Sequence, residues 1–276
     1  MVFVGRVPTD EELYAYYADY PVHDNVSPVT IRRYNELLDG FEKYRRTDRI
    51  IDVGCGAGIF LEEAAKRGWE VHGTEYGERA LVACRSRGIR IIEGALDPTN
   101  YVAGSFDVVC SFEVIEHLPR PKEELERMAR ILRPGGALYM TTPNYRSLGH
   151  ALVGRGWSVV NYPEHLNYFI PRTLRLLAAT QQLRPIRVLT TGVSLMRLRV
   201  RHADDSDRKK AVMASQENLR HQLETKPFLQ LVKRTANGLL NAFGLGDSMK
   251  ATFVKPGTGV RTVVDPVVNG GKDRPA

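Results

Sequence analysis

The stretch "SFEVIEHLP", residues 111 to 119, carries Glu113, Glu116 and His117 within five positions, directly after an apolar run. Continued as a helix, the i, i+3, i+4 spacing sets two carboxylates and an imidazole on one face, a donor set suited to a divalent cation. His117 or Glu113 by itself suits proton acceptance from a reacting hydroxyl. An acidic helix start, favoured by the macrodipole and without chemistry, is the third reading. "NYPEHLNYF" supplies another histidine, His165, among Tyr162, Tyr168 and Phe169. It reads either as a proton acceptor in an aromatic pocket or as a histidine that hydrogen-bonds its loop in place.

A different chemistry is written in "IIDVGCGAGIF", where Asp52 precedes Gly54, Cys55, Gly56 and Gly58. Glycines between a strand and a helix let the backbone approach a ligand closely, and the helix N-terminus adds partial positive charge. Glu75 ends the next apolar run 17 residues after Gly58, about where an acid takes ribose hydroxyls in dinucleotide folds.

Such residues need a sheet to position them. From Arg49 to about Pro143, short apolar runs ("RIIDVG", "EVHGTE", "IRIIEG", "FDVVCSF", "ALYMTTP") alternate with helical patterns ("IFLEEAAKRG", "ERALVACRSRG", "EELERMARILRPGG"). That alternation predicts a parallel sheet wrapped by helices on both faces, with Gly68, Gly88 and Gly135 where helices stop. Pro28 opens an N-terminal helix, preceded by Tyr14, Tyr16, Tyr17 and Tyr20. Downstream, "PRTLRLLAATQQL" reads as a helix, "IRVLTTGVSLMRLRV" contains a strand and "DSMKATFVKP" a last one. "KPFLQLVKRTANGLLNAFG" carries Phe228, Leu231, Val232, Leu239 and Phe243 on one stripe, for core packing, a dimer contact or a membrane surface.

The GxGxG spacing with a leading Asp, followed by "HGTEYGERAL", "GSFDVVCSFEVIEHLPRP" and "RILRPGGALYMTTPN", resembles class I S-adenosylmethionine-dependent methyltransferases over roughly residues 27 to 200. The resemblance implies an α/β fold, a doubly wound, seven-stranded, mostly parallel Rossmann-like sheet. It implies S-adenosylmethionine as cofactor and S-adenosylhomocysteine as product. Gly54, Gly56 and Gly58, with Cys55 among them, would then pack against the methionine part. Asp52 would orient the loop, Glu75 would hold the ribose diol and Tyr76 would lie near ribose or adenine. Ser111 and Phe112 would run beside the methionine end, and Tyr17 and Arg33 (or Arg32) would close over the cofactor and its carboxylate. Many relatives have an Asp where this chain has Ala95 in "EGALDP", so Leu96 is left to flank the adenine.

Two groups look similar. Ubiquinone-biosynthesis O-methyltransferases share ExxEH, and by that match Glu113, Glu116 and His117 would hold a magnesium-type ion. A bacterial group linked to surface glycans shares "EHLNYFIPRTLRLL" and the "FGLGDS...KP" ending. The resulting division is a helical cap (1–46), a methyltransferase core (47–203), a helical insertion (204–245), a last core strand (246–256) and a disordered tail (257–276). The expected reaction is methylation of a hydroxyl on a small molecule or saccharide, with a divalent-ion-dependent quinone or phenol methyltransferase and a non-catalytic cofactor-binding protein as alternatives.

Composition bounds the rest. With 276 residues, 43% of them hydrophobic, the chain can bury a substantial core. No run of about 18 apolar residues occurs and the N-terminus turns acidic early, so a cytoplasmic protein is expected. The three cysteines lie apart, which speaks against a disulfide framework. From Arg201 onward, 13 Lys and Arg face 8 Asp and Glu, placing much of the +7 formal charge at the C-terminal end. No basic stripe and no (D/N)PP(Y/F) signature accompany the motifs, so nucleic acid is not expected as a partner. Peripheral membrane contact through the C-terminal helices stays open.

Overall fold

The computed structural model describes residues 2–9, 11–13, 16, 26–193 and 227–257. In chain order the elements begin with β1 (Val2–Phe3), α1 (Pro28–Phe41), β2 (Arg49–Val53), α2 (Ile59–Lys66), β3 (Glu70–Glu75), α3 (Glu78–Ser86) and β4 (Arg90–Glu93). There follow β5 (Phe106–Phe112), α4 (Pro121–Ile131), β6 (Leu132–Pro143), α5 (Leu148–Val153), β7 (Asn167–Tyr168), α6 (Pro171–Thr180), β8 (Arg184–Thr191), α7 (Pro227–Phe243) and β9 (Ser248–Val254).

β2, β5 and most of β6 are buried at successive positions, the pattern of strands covered on both faces. Seven strands pair in the order β4-β3-β2-β5-β6-β9-β8, with β9 antiparallel to both of its neighbours. Side chains alternate between two apolar layers. Ile50, Val108 and Cys110 meet Leu38 and Phe41 of α1 and Phe60, Leu61 and Ala64 of α2. Ile51, Val53 and Val109 meet Leu125 and Met128 of α4 and Leu174 and Ala178 of α6. The order reverses between β2 and β5, so a crevice opens at their carboxyl ends, where open α/β sheets take their ligands.

Several expectations change. α4 ends at Ile131, and Gly135, expected as its stop, lies in the opening stretch of β6 with φ 77° while its N–H reaches Lys255 O at 2.7 Å. β1 was not legible: Val2 and Phe3 pair antiparallel with Tyr168 and Asn167. The stripe on α7 does not enter the core. Asn237 and Asn241 turn inward instead, accepting from Gly192 N at 2.8 Å and Thr190 N at 3.0 Å, while Phe228 and Phe243 are 73% and 66% exposed. The first part of the expected helical insertion and the expected tail beyond 257 lie outside the described residues, as do Tyr14, Tyr17 and Tyr20. No described helix is long and apolar enough to cross a membrane.

Candidate functional site

The glycine loop leaves β2 at the crevice. Gly54, Gly56 and Gly58 take φ of 74°, 53° and 76°, a region that side chains disfavour. A Cβ on Gly58 would come within 2.4 Å of Ile89 Cδ1, and one on Gly54 within 2.7 Å of Val114 Cγ2. At Gly56 it would meet nothing within 4 Å, so that glycine borders open space where a ligand can pack.

The loop is fastened from β3. Gly54 N and Cys55 N donate to Thr74 O at 2.9 and 3.1 Å, and Gly56 N donates to Glu75 Oε2 at 2.8 Å. Glu75 Oε1 accepts from Tyr76 N at 2.7 Å and Gly77 N at 3.3 Å. Asp52, expected to orient the loop, is 2% exposed, and its Oδ1 accepts no hydrogen bond among the described residues. Burial first, then the charge of Glu75, pushes its carboxyl well above the usual carboxylate range.

The remaining cofactor candidates divide by placement. Cys55 packs its sulfur under the loop, 3.7 Å from Cys84 Sγ. Tyr76 is 40% exposed at the rim. Ser111 is buried at the end of β5, one position beyond Cys110, the partner of Asp52 in register. Phe112 sits in an aromatic cluster, 5.0 Å from Phe60, 5.5 Å from Tyr139 and 6.1 Å from Tyr34. Arg33 is half-buried on α1 beside Tyr34. Leu96, expected to flank an adenine, lies inside the core with Phe106 and Met128 and is fully buried.

After β5 the expected helix through Glu113 does not form. Glu113 is left-handed at φ 53°, and its N–H reaches Thr141 O at 3.0 Å and Thr141 Oγ1 at 3.1 Å. A turn follows, with His117 N on Val114 O at 2.9 Å. Pro119 and Pro121 disfavour helical backbone at Leu118 and Arg120, so α4 waits until Pro121. Glu113 is therefore not on a helical face shared with Glu116 and His117.

A third residue takes that place. Leu166 N and Asn167 N both donate to Glu116 O, at 2.8 and 3.0 Å, and Asn167 Nδ2 donates to Leu118 O at 2.7 Å. This docking brings His165 to His117, ring centroids 4.7 Å apart at 77°. His117 Nδ1 donates to Glu164 O and His165 Nδ1 to Val159 O, each at 2.7 Å. A carbonyl only accepts, so both rings carry their proton on Nδ1 when neutral. Burial, and then His165, pushes the His117 pKa down to about 4, leaving a neutral imidazole at neutral pH. Donor atoms of Glu116, His117 and His165 all lie within 4.8 Å of one another, and Glu116 is 1% exposed.

Sequence reasoning weighed the two histidines separately and missed Thr141 and Asn167. The available signal was a polar residue inside an apolar run, "LYMTTP" or "HLNYF", which once buried requires a partner.

A family model described as a methyltransferase domain matches residues 27–188. The ubiquinone biosynthesis O-methyltransferase of Marinobacter nauticus is 33% identical over 147 residues, covering 49% of this chain and 58% of that protein. Its counterpart from Idiomarina loihiensis is 30% identical over 183 residues, covering 61% of this chain and 72% of that one. The chain thus spans little more than half the length of the first relative. The crystal structure of a SAM dependent methyltransferase from Archaeoglobus fulgidus superposes with a TM-score of 0.55 at 17% identity, over 82% of this chain and 93% of that one. Glycine loop, strand order and the match across residues 27–188 agree, and the chain belongs to the class I S-adenosylmethionine-dependent methyltransferases.

Proposed function

We propose that the protein moves the methyl group of S-adenosylmethionine to a hydroxyl of a small-molecule acceptor, leaving S-adenosylhomocysteine and a proton. The observation that carries this reading is the His117–His165 pair beyond the end of β5, the strand beside the glycine loop. Transfer from a sulfonium is an in-line displacement, so the protein must align two groups, exclude water and receive one proton. A neutral His117, its ring oriented by Nδ1–H on Glu164 O, is the proton acceptor in this reading, and it sets no second positive charge near the sulfonium.

A phenolic or quinol hydroxyl is the acceptor class proposed here. The relatives named for ubiquinone biosynthesis support it. So does chemistry: a phenol, with a pKa of about 10, gives up its proton to an imidazole more readily than a saccharide hydroxyl does. Glu116, His117 and His165 also fit a divalent ion, since one carboxylate and two imidazoles form a known three-ligand set. Such an ion, when bound, would acidify the acceptor hydroxyl. This differs from the ExxEH set in having His165 where Glu113 was expected.

The test is S-adenosylhomocysteine release from the purified protein with catechol, quinol and saccharide acceptors. Turnover on catechols or quinols is expected, with His117→Gln lowering kcat roughly 100- to 10,000-fold while cofactor affinity holds. Chelator-insensitive turnover would remove the ion. Turnover confined to saccharides would overturn the acceptor class, and cofactor binding without turnover on any hydroxyl would leave a non-catalytic binding protein.

A further inference from the structure

Arg146, Arg172 and Arg175 line a cavity of about 290 Å³ near the carboxyl ends of β6 and β8, formed by residues other than those of the site above. No acidic residue lines it, and none of the three guanidiniums makes an ion pair or hydrogen bond among the described residues. Helix physics makes this arrangement costly on its own. Arg172 and Arg175 are i, i+3 neighbours of like charge on α6. The first turn of α6 contains no acid, and its N-terminus already carries partial positive charge. A bound anion relieves both repulsions.

The rest of the wall indicates what the anion is attached to. Ile170, Val188 and Phe243 line the same cavity. Phe243 also ends the outward stripe of α7, in which Leu231, Val232 and Leu239 are 62%, 47% and 58% exposed. A cationic socket therefore runs directly into an apolar helix face whose polar side is already used by Asn237 and Asn241.

We infer that this cavity binds the phosphate group of a lipid, with the head group on Arg146, Arg172 and Arg175 and the apolar chains along α7. Guanidinium forks match phosphate oxygens in geometry as well as charge. The inference is independent of the methyl acceptor and of the proton-transfer residues.

Full-length protein is sedimented with phosphatidylcholine vesicles, with and without phosphatidic acid. Retention is expected only on vesicles containing phosphatidic acid, reduced roughly tenfold or more in Arg172→Gln/Arg175→Gln and reduced also in Phe243→Ser. Arg79→Gln, an exposed cation on α3, should behave as wild type. S-adenosylhomocysteine affinity, measured on every variant, should be unchanged; this reports folding and keeps a failure here distinct from a failure of the methyltransferase reading. Equal retention of the double arginine variant, or equal loss in Arg79→Gln, overturns the site. Intact retention of Phe243→Ser overturns the path of the chains. Binding of inorganic pyrophosphate without vesicle retention makes it a soluble-phosphate site and overturns the lipid assignment.

Discussion

Glu75 does two jobs with one carboxylate. It holds the amides of Gly56, Tyr76 and Gly77, and it stands where the family resemblance sets a ribose partner. Glu75→Ala should therefore weaken S-adenosylmethionine binding by about 1–3 kcal/mol, roughly 5- to 150-fold, by loosening the loop as well as removing the contact. Gly56→Arg should abolish binding, because it strains a φ of 53° and fills the open side of the loop. Titration calorimetry checks both, and unaltered binding in the pair would remove the assigned pocket. These residues were legible because a left-handed glycine turn and an acid at a strand end are local constraints. The histidine pair was not: His117 and His165 meet only because Asn167, in another segment, reaches Leu118 O and carries its loop with it.

Among the elements, β5 is anchored at its start by Asp107, which no motif marks. This carboxylate, fully buried, accepts from Arg46 N at 2.7 Å, Thr47 N at 2.6 Å and Arg133 Nε, and Arg133 also donates to Tyr44 O. It joins the end of α1, the entry to β2 and the start of β6. Burial alone would raise its pKa, but Arg133 and the two amides outweigh that and hold the carboxyl below its usual range. With the native value below the unfolded one of about 3.9, the stability it lends is present above pH 4 and is lost as pH falls through the native value. Asp107→Asn should cost about 3–5 kcal/mol near neutrality by stranding Arg133, and should flatten the acid limb of a stability-against-pH curve. An unchanged limb would assign acid sensitivity elsewhere. Strand runs were legible throughout this region; the turn at 113–117 was not, because helical spacing is silent about the left-handed Glu113 and the prolines that follow it.

At the scale of the whole molecule, the doubly wound order follows from alternating apolar runs and helical patterns, and the last strand falls where "DSMKATFVKP" placed it. The direction in which α7 turns its stripe could not be read, since a periodic apolar face looks the same toward a core or away from it. Nor could the pairing of β1 with β7, which rests on two residues at one end of the chain meeting two beyond the core. That pairing has a consequence in local unfolding. Val4 N holds Leu166 O at 3.1 Å, while Leu166 N and Asn167 N hold Glu116 O, so the amino-terminal strand and the histidine-bearing loop share one set of hydrogen bonds. They should open as a single cooperative unit, with the amides of Val4, Leu166 and Asn167 exchanging at a common rate. Hydrogen exchange read by mass spectrometry checks this: deleting residues 1–8 should speed exchange across residues 161–168 and leave the amides of β2 and β5 protected.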